Sequence, residues 1–379
     1  MQKIRKQIRG LYLSTAAGNL SLTGAWVAIL AARGYSLAQI GLAETVFHIT
    51  SLIFEIPSGV LADLFGRKKM LVLSSILRMI GNVVMILSGN LFMVCLSLAF
   101  YATSYNFASG SGDALAYDSL KLVQGEAYYE RYASNQLMIY RFCGALSTLC
   151  AGFALLIGHR AAYGADILMS VIQIGILLSL YEAKVGDGKE GTAAKVLDGV
   201  SGQTTRVTSS VKTALAECFL ESLSFMKRER KAIALMFANS FVGAMDILLL
   251  FFLQAKLPAA GMPRWALGFA LFFMEMGGIL GAKIILKWKR LRYRNLFVVT
   301  AALVLSGVLM EHSGMWLFMM TGGLIAAFAD DALQVRTDAT LQDMFPSEQR
   351  ATLISMESFT FSVIMVVLSP LAGLFFSWW

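Results

Sequence analysis

The stretch Gly59-Val-Leu-Ala-Asp63-Leu-Phe-Gly66-Arg67-Lys68-Lys69 lies between two long apolar runs, 37–62 and 69–88. A helix that crosses a bilayer needs about 20 mostly apolar residues, and both runs meet that length. Three consecutive cations in so short a connection cannot lie in hydrocarbon. They pin the loop to one face of a membrane, so this stretch reads as the turn between two spanning helices. Gly66 suits the tight turn into the second of them, since glycine enters the left-handed region without steric cost. Gly59 is expected to let the first pack closely on a neighbour. Asp63 is a carboxylate among cations, and it calls for a cation or a helix N-terminus as partner.

Read outward from this loop, the pattern repeats. Eleven runs qualify as spans: 11–32, 37–62, 69–88, 91–120, 133–157, 161–182, 232–256, 264–287, 295–312, 314–339 and 351–378. The 379 residues are 57% hydrophobic and only 15% charged, against roughly 25% charged in soluble domains, so the apolar surface exceeds what a soluble domain can hide. Segments of about 10 residues alternating in polarity, the mark of a transmembrane barrel, do not occur. The fold class is therefore an all-α polytopic membrane protein. Gly34, Gly89-Asn90, Gly158 and Gly314 mark short turns on one side of the membrane, and the connections on the other side are charged.

Charge sets the orientation. With the N-terminus in the cytoplasm, 24 of the 32 Lys and Arg fall in inside segments, and four (Arg33, Arg160, Lys256 and Arg264) fall outside. This asymmetry is the positive-inside pattern. The net charge of +8 is spread between apolar runs and forms no single basic patch, so nucleic acid is not an expected partner. Four cysteines without a CxxC and three histidines without an HExxH suggest no metal, cofactor or redox site. The first run is too long for a signal-peptide core. Residues 183–231 form a long cytoplasmic linker between bundles at 1–182 and 232–379. In it Leu215, Phe219, Leu223 and Met226 predict an amphipathic helix lying on anionic lipid headgroups.

The halves also echo each other. A shift of 218 residues sets Asp113-Ala-Leu-Ala-Tyr-Asp118 on Asp331-Ala-Leu-Gln-Val-Arg336, and Gly59 on Gly277. A shift one residue longer sets Glu130-Arg131 on Gln349-Arg350. Six spans intervene, so the repeats are parallel, an architecture of transporters whose site lies between the halves.

The Gly59–Lys69 stretch resembles the signature Gly-x-x-x-Asp-x-x-Gly-Arg-[Arg/Lys]-[Arg/Lys] of the major facilitator superfamily, in the loop where that family carries it. Phe54-Glu55-Ile-Pro-Ser-Gly59, Ser111-Gly112-Asp113-Ala-Leu-Ala-Tyr117-Asp118 and Phe345-Pro-Ser-Glu-Gln-Arg350-Ala-Thr are similar to one large bacterial, drug-efflux-like branch. The resemblance covers essentially the whole chain. It implies two parallel helical bundles, here of six and five spans. The family has twelve spans, and helix 12 is expected to be absent, because the sequence ends at Trp379 as the eleventh run closes. The resemblance further implies that Asp63 meets the start of helix 11, after Arg350, and that Arg67 meets Asp118. Together they would form a latch that closes and opens with the transport cycle, with Gly59, Gly66 and Lys68 completing the motif.

Ionisable groups at the centre of a span cost about 2.5–3.5 kcal/mol on insertion scales and usually face partners or water. Glu44, His48, Ser51 and Glu55 recur at helical spacing on one face, a stripe that suits a substrate or proton path or a polar seam with helix 11. Asp113 lies about 12 Å above its helix end at 1.5 Å per residue, level with Arg141, so an Asp113–Arg141 pair is expected. Glu357 is expected to partner Arg336, with Asp330 and Asp331 beside it. Glu275 and Lys283 are expected to share a face. Asp246 lies near mid-span, on a helix that lines the cavity in the family, and is a substrate-contact candidate.

The leading function is secondary active transport by alternating access: proton-coupled efflux of a small molecule across the bacterial cytoplasmic (inner) membrane. The alternatives are a facilitator or importer of a small polar metabolite, and a non-transporting receptor or scaffold. An enzyme is not expected: Ser109-Gly-Ser-Gly112 lacks the first glycine of GxSG, and no Walker motif occurs. If Asp113 or Glu55 carries the coupling proton, Asp113→Asn or Glu55→Gln abolishes flux driven by a pH gradient, because protonation must favour one conformation.

Overall fold

The computed structural model describes residues 2–182, 228–288, 291–344 and 350–378. All regular structure among them is helical. In chain order the α-helices are α1 (Gln2–Asn19), α2 (Trp26–Ala32), α3 (Leu37–Phe65), α4 (Arg67–Leu87), α5 (Leu91–Ala108), α6 (Ser111–Lys121) and α7 (Tyr129–Leu149). They continue with α8 (Ala151–Ile157), α9 (His159–Ser179), α10 (Arg230–Ala259), α11 (Leu267–Ile284), α12 (Tyr293–Glu311), α13 (Trp316–Met344) and α14 (Arg350–Ser377). Nine spans among the described residues are long and apolar enough to cross a membrane, or ten if the bent pair α7–α8 counts as one.

The first expected span, 11–32, is not one helix. It breaks between Asn19 and Trp26. The gap holds Ser21, Thr23 and Gly24 between its leucines, and glycine is a poor helix former; Ser21 donates its hydroxyl to Asp166 Oδ2 at 2.6 Å. The run 91–120 is also interrupted, at Ser109–Gly110, where Gly110 has φ +70°. Its counterpart in the second half, α13, runs unbroken for 29 residues. The turns at Gly34, Gly158 and Gly314 have positive φ, as does Gly261, and Asn90 caps α5 by accepting from Met93 N at 3.0 Å. The linker 183–227, with its expected amphipathic helix, lies outside the described residues.

The helices pack as two compact units. The first holds residues up to Ser21, Thr50–Gly144 and the segment from Tyr163. Its core gathers Leu11, Leu115, Ala116, Tyr132, Leu177 and Leu180. Gln7, 2% exposed, ties the start of α1 to the end of α9: its Nε2 donates to Tyr181 O at 2.9 Å, and Tyr181 N donates to its Oε1 at 3.2 Å.

The second unit holds Leu22–Ile49, Ala145–Ala162 and everything from Met226. Its most buried helix is α10, whose Met236, Leu248, Leu249, Phe252, Leu253 and Leu257 are at most 1% exposed. Helices α11 and α13 meet backbone to backbone through Gly277 and Gly281, four residues apart, which face the carbonyls of Leu324 and Phe328. At the turn end of this unit, α3 crosses α14 equally closely. A Cβ on Gly41 would overlap the Ser369 carbonyl oxygen, and one on Gly373 would come within 2.6 Å of Leu37 O. A Cβ on Gly268 would overlap the Leu149 carbonyl oxygen in the same way. Trp26 meets Phe251 edge-on there at 5.6 Å.

Candidate functional site

The charged loop is built inside the first unit. Gly66 adopts φ +98°, a conformation that L side chains rarely take, and this reverses the chain from α3 into α4. Arg67 forms an ion pair with Asp118 of α6. Lys68 donates its backbone N–H to Glu182 at 3.0 Å and its ammonium to the carbonyls of Leu178 (3.0 Å) and Leu180. The last turn of α9 leaves carbonyls without helical partners, and Lys68 satisfies that of Leu178 and, just beyond the helix, that of Leu180. Glu182 also sits against Gly66, where a Cβ would come within 2.8 Å of its carboxylate. Sequence reasoning missed Glu182, which reads as the tail of a span. Glu182→Ala is expected to lower stability by about 1–3 kcal/mol, because it orphans the Lys68 amide. Thermal unfolding of the purified chain measures it.

Two expectations about this loop change. A Cβ on Gly59 would meet nothing within 4 Å among the described residues, so no close helix contact is made there by any of them. The side chains of Asp63 and of residues 345–355 lie outside the described residues, and with them the expected contact between Asp63 and the segment after Arg350.

The expected stripe on α3 divides at the boundary between the units. Glu44 and His48, both buried, pair at 3.2 Å, and His48 Nδ1 lies 3.4 Å from Ser362 Oγ of α14, between the rings of Phe47 and Phe361. Ser362 lies on the helix formed by the eleventh apolar run. Further along, Ser51 donates to Asn106 Oδ1 at 3.0 Å and receives the Asn106 amide at its carbonyl, while Glu55 lies in electrostatic range of Tyr105.

Asp113 and Arg141 are both exposed, and no ion pair joins them. The break at Gly110 accounts for the difference. It places Asp113 in the first turn of α6, where the free N–H groups and the helix dipole stabilise a carboxylate without a cation. Its near neighbours are the phenols of Tyr129 and Tyr132, in a stack that Tyr132 shares with Tyr12 at 5.2 Å.

The expected Arg336–Glu357 pair does not form either. Arg336 donates to Trp288 O at 2.9 Å. Glu357 accepts from Asn239 (3.3 Å) and Gln334 (3.4 Å), and Gln334 also binds Asp338 at 2.8 Å. Gln334 and Asp338 share one face of α13 at i and i+4, whereas Arg336, two residues on from Gln334, points elsewhere. Glu275 accepts from Thr148 of α7 at 3.3 Å.

Asp246 is 8% exposed on α10 and makes no hydrogen bond or ion pair among the described residues. Asp330 and Asp331 of α13 and Glu275 of α11 lie close enough to act on it electrostatically. Asp330 Oδ1 is inaccessible and has no hydrogen-bond partner among the described residues. A second acidic feature escaped the sequence reading: Glu311, 2% exposed, pairs with Lys256 at 3.2 Å and lies 2.9 Å from His312. Lys256 reads as an outer-loop cation, but α10 extends through it to Ala259.

Long apolar helices, carboxylates held in mid-span and a cation-rich loop braced to its neighbours define an integral membrane protein. Residues 10–314 match the family model described as Major Facilitator Superfamily, and the chain belongs to that family. The family is one of transporters rather than enzymes.

Over 43 residues it is 49% identical to the uncharacterized MFS-type transporter YxaM of Bacillus subtilis (strain 168), a match that spans 11% of this chain and 11% of that relative. Among solved structures, a point mutant of the nucleoside transporter NupG superposes with a TM-score of 0.72 at 13% identity, covering 98% of this chain and 96% of that one. A bacterial homolog of the human lysosomal transporter Spinster, inward-facing and unoccupied, gives 0.66 at 16% identity, covering 97% and 80%. A D-xylose–proton symporter gives 0.60 at 12% identity, covering 96% and 87%. At these identities the likeness is one of fold.

Proposed function

We propose that this chain is a proton-coupled efflux transporter of the drug-efflux-like branch, working by alternating access in the bacterial cytoplasmic membrane with its N-terminus inside. Residues 1–182 and 232–379 are the two moving bundles, and Asp63, Arg67 and Asp118 belong to a latch at their cytoplasmic ends. The observation that carries the coupling is Asp246. A carboxylate buried among Asp330, Asp331 and Glu275 is costly when ionised, so it calls for a proton or a cationic substrate. A site that trades the two couples their movements, because each shifts the population that the other binds. The Arg67–Asp118 pair beside the braced loop supports the latch.

The test is flux of a substrate panel in sealed proteoliposomes, with and without a pH gradient. Uptake into vesicles acidic inside, collapsing when the gradient is dissipated, is the expected result. Flux indifferent to the gradient removes proton coupling, and flux only with substrate running down its own gradient makes the chain a facilitator.

A further inference from the structure

A crevice of about 410 Å³ opens in the first unit between the N-terminal half of α1 and the end of α9. Its volume falls within the ordinary range of ligand pockets, about 300–1,000 Å³. Arg5, Lys6, Arg9, Gly10, Leu13, Ile176 and Ser179 line it, and no carboxylate is among them. The three cations are exposed and make no hydrogen bond or ion pair among the described residues. Lys3, one turn earlier, is instead placed over the Tyr181 ring at 4.9 Å.

Arg5, Arg9 and Leu13 follow one another at i, i+4 and i+8, so charge gives way to apolar surface along a single face of α1. Leu13 is 59% exposed there, and Leu168 and Ile172 continue an exposed apolar surface along α9. Gly10 forms the floor, where α1 presses against Leu180.

We propose that this crevice binds an anionic phospholipid, with the phosphate on Arg5, Lys6 and Arg9 and the start of an acyl chain along Leu13 and Ile176. Charge complementarity selects an anion. The ordered passage from cations to apolar surface selects an amphiphile over a soluble ion, and a basic pocket between membrane helices is a recurrent way to hold an anionic headgroup. Each cation contributes roughly a fivefold preference, so the three together favour an anionic over a zwitterionic lipid on the order of 100-fold.

Native mass spectrometry of the full chain with phosphatidylglycerol and phosphatidylcholine tests this. Phosphatidylglycerol should bind on the order of 100-fold more tightly, and the triple variant R5Q/K6Q/R9Q should lose the preference. Millimolar inorganic phosphate should not displace the lipid. A second variant, Ile176→Trp, fills the apolar half and leaves the charges in place; it should weaken phosphatidylglycerol without changing thermal stability. Equal binding of the two lipids by the full chain overturns the proposal, as when a soluble anion or an acidic segment of the chain itself takes the place. So does an unchanged preference in a folded triple variant, or displacement by phosphate with Ile176→Trp having no effect.

Discussion

Asp246→Asn is expected to reduce gradient-driven transport to the level of leak, a loss on the order of 100-fold or more, while exchange of substrate across the membrane persists. The amide is nearly isosteric and neutral, so the helix and its packing survive. On the proposed coupling, what disappears is the ability of a proton to distinguish conformations. A ligand that binds two states equally shifts neither, and switching a population from 1:99 to 99:1 needs roughly a 10⁴-fold difference in affinity. Exchange needs only the motion of the loaded transporter, whereas net driven flux needs the coupled proton. Proteoliposomes assayed in both modes separate the two. Loss of both modes in a folded variant would make Asp246 a substrate contact instead, and retention of both would pass the role to Asp330 or Glu357. Asp113→Asn, expected from sequence alone to be equally severe, carries a smaller expected effect now that Asp113 lies exposed at a helix N-terminus without Arg141.

Gly41→Ile and Gly268→Val are expected to prop open the turn end of the second unit. Their Cβ atoms would overlap the carbonyl oxygens of Ser369 and Leu149, backbone atoms that cannot rotate away. Overpacking of this kind costs about 1–3 kcal/mol, which moves the balance between closed and open ends by about 5- to 150-fold. In a background without native cysteines, Phe251→Cys reports the change, because Phe251 faces Trp26 in the closed arrangement. A membrane-impermeant maleimide should label it at least about fivefold faster in either glycine variant, and transport should fall in parallel. Gly164→Ala serves as control, since a Cβ there meets nothing within 4 Å. Unchanged labelling in both glycine variants would show that the crossing is not a barrier to opening.

Much of the fold could be read from hydropathy, because apolar runs of 20 residues have few other homes and charged turns sort to one side. Hydropathy does not report continuity. Helices end inside apolar runs after Asn19, before the Thr23-Gly24 step, and at Gly110 with its left-handed backbone angle. Depth in the membrane was also legible, since residue number along a span converts to distance. Direction around the helix, across a packed interface, was not. Asp113 and Arg141 lie at similar depth and do not meet, and Arg336 turns to Trp288 while Glu357 collects amides from Asn239 and Gln334. The Arg67–Asp118 pair was suggested by the family resemblance, because spacing alone holds no information about two residues 51 apart. Glu182 and the Lys256–Glu311 pair carried no such motif, and each sat where a boundary drawn by hydropathy hid it.

The reciprocal bonds between Gln7 and Tyr181 have a consequence for synthesis. The two residues are 174 apart, so at ribosomal rates of about 5–20 residues per second the first helix waits roughly 9–35 s for its last partner to be made. During that interval Ser119 Oγ, 3.4 Å from Gln7 Nε2, offers one bond, and the amide oxygen is left to water or headgroups. A nascent chain halted before Tyr181 therefore presents an uncapped polar group that the finished chain does not. Proofreading machinery in the membrane could use that difference to tell an unfinished product from a complete one.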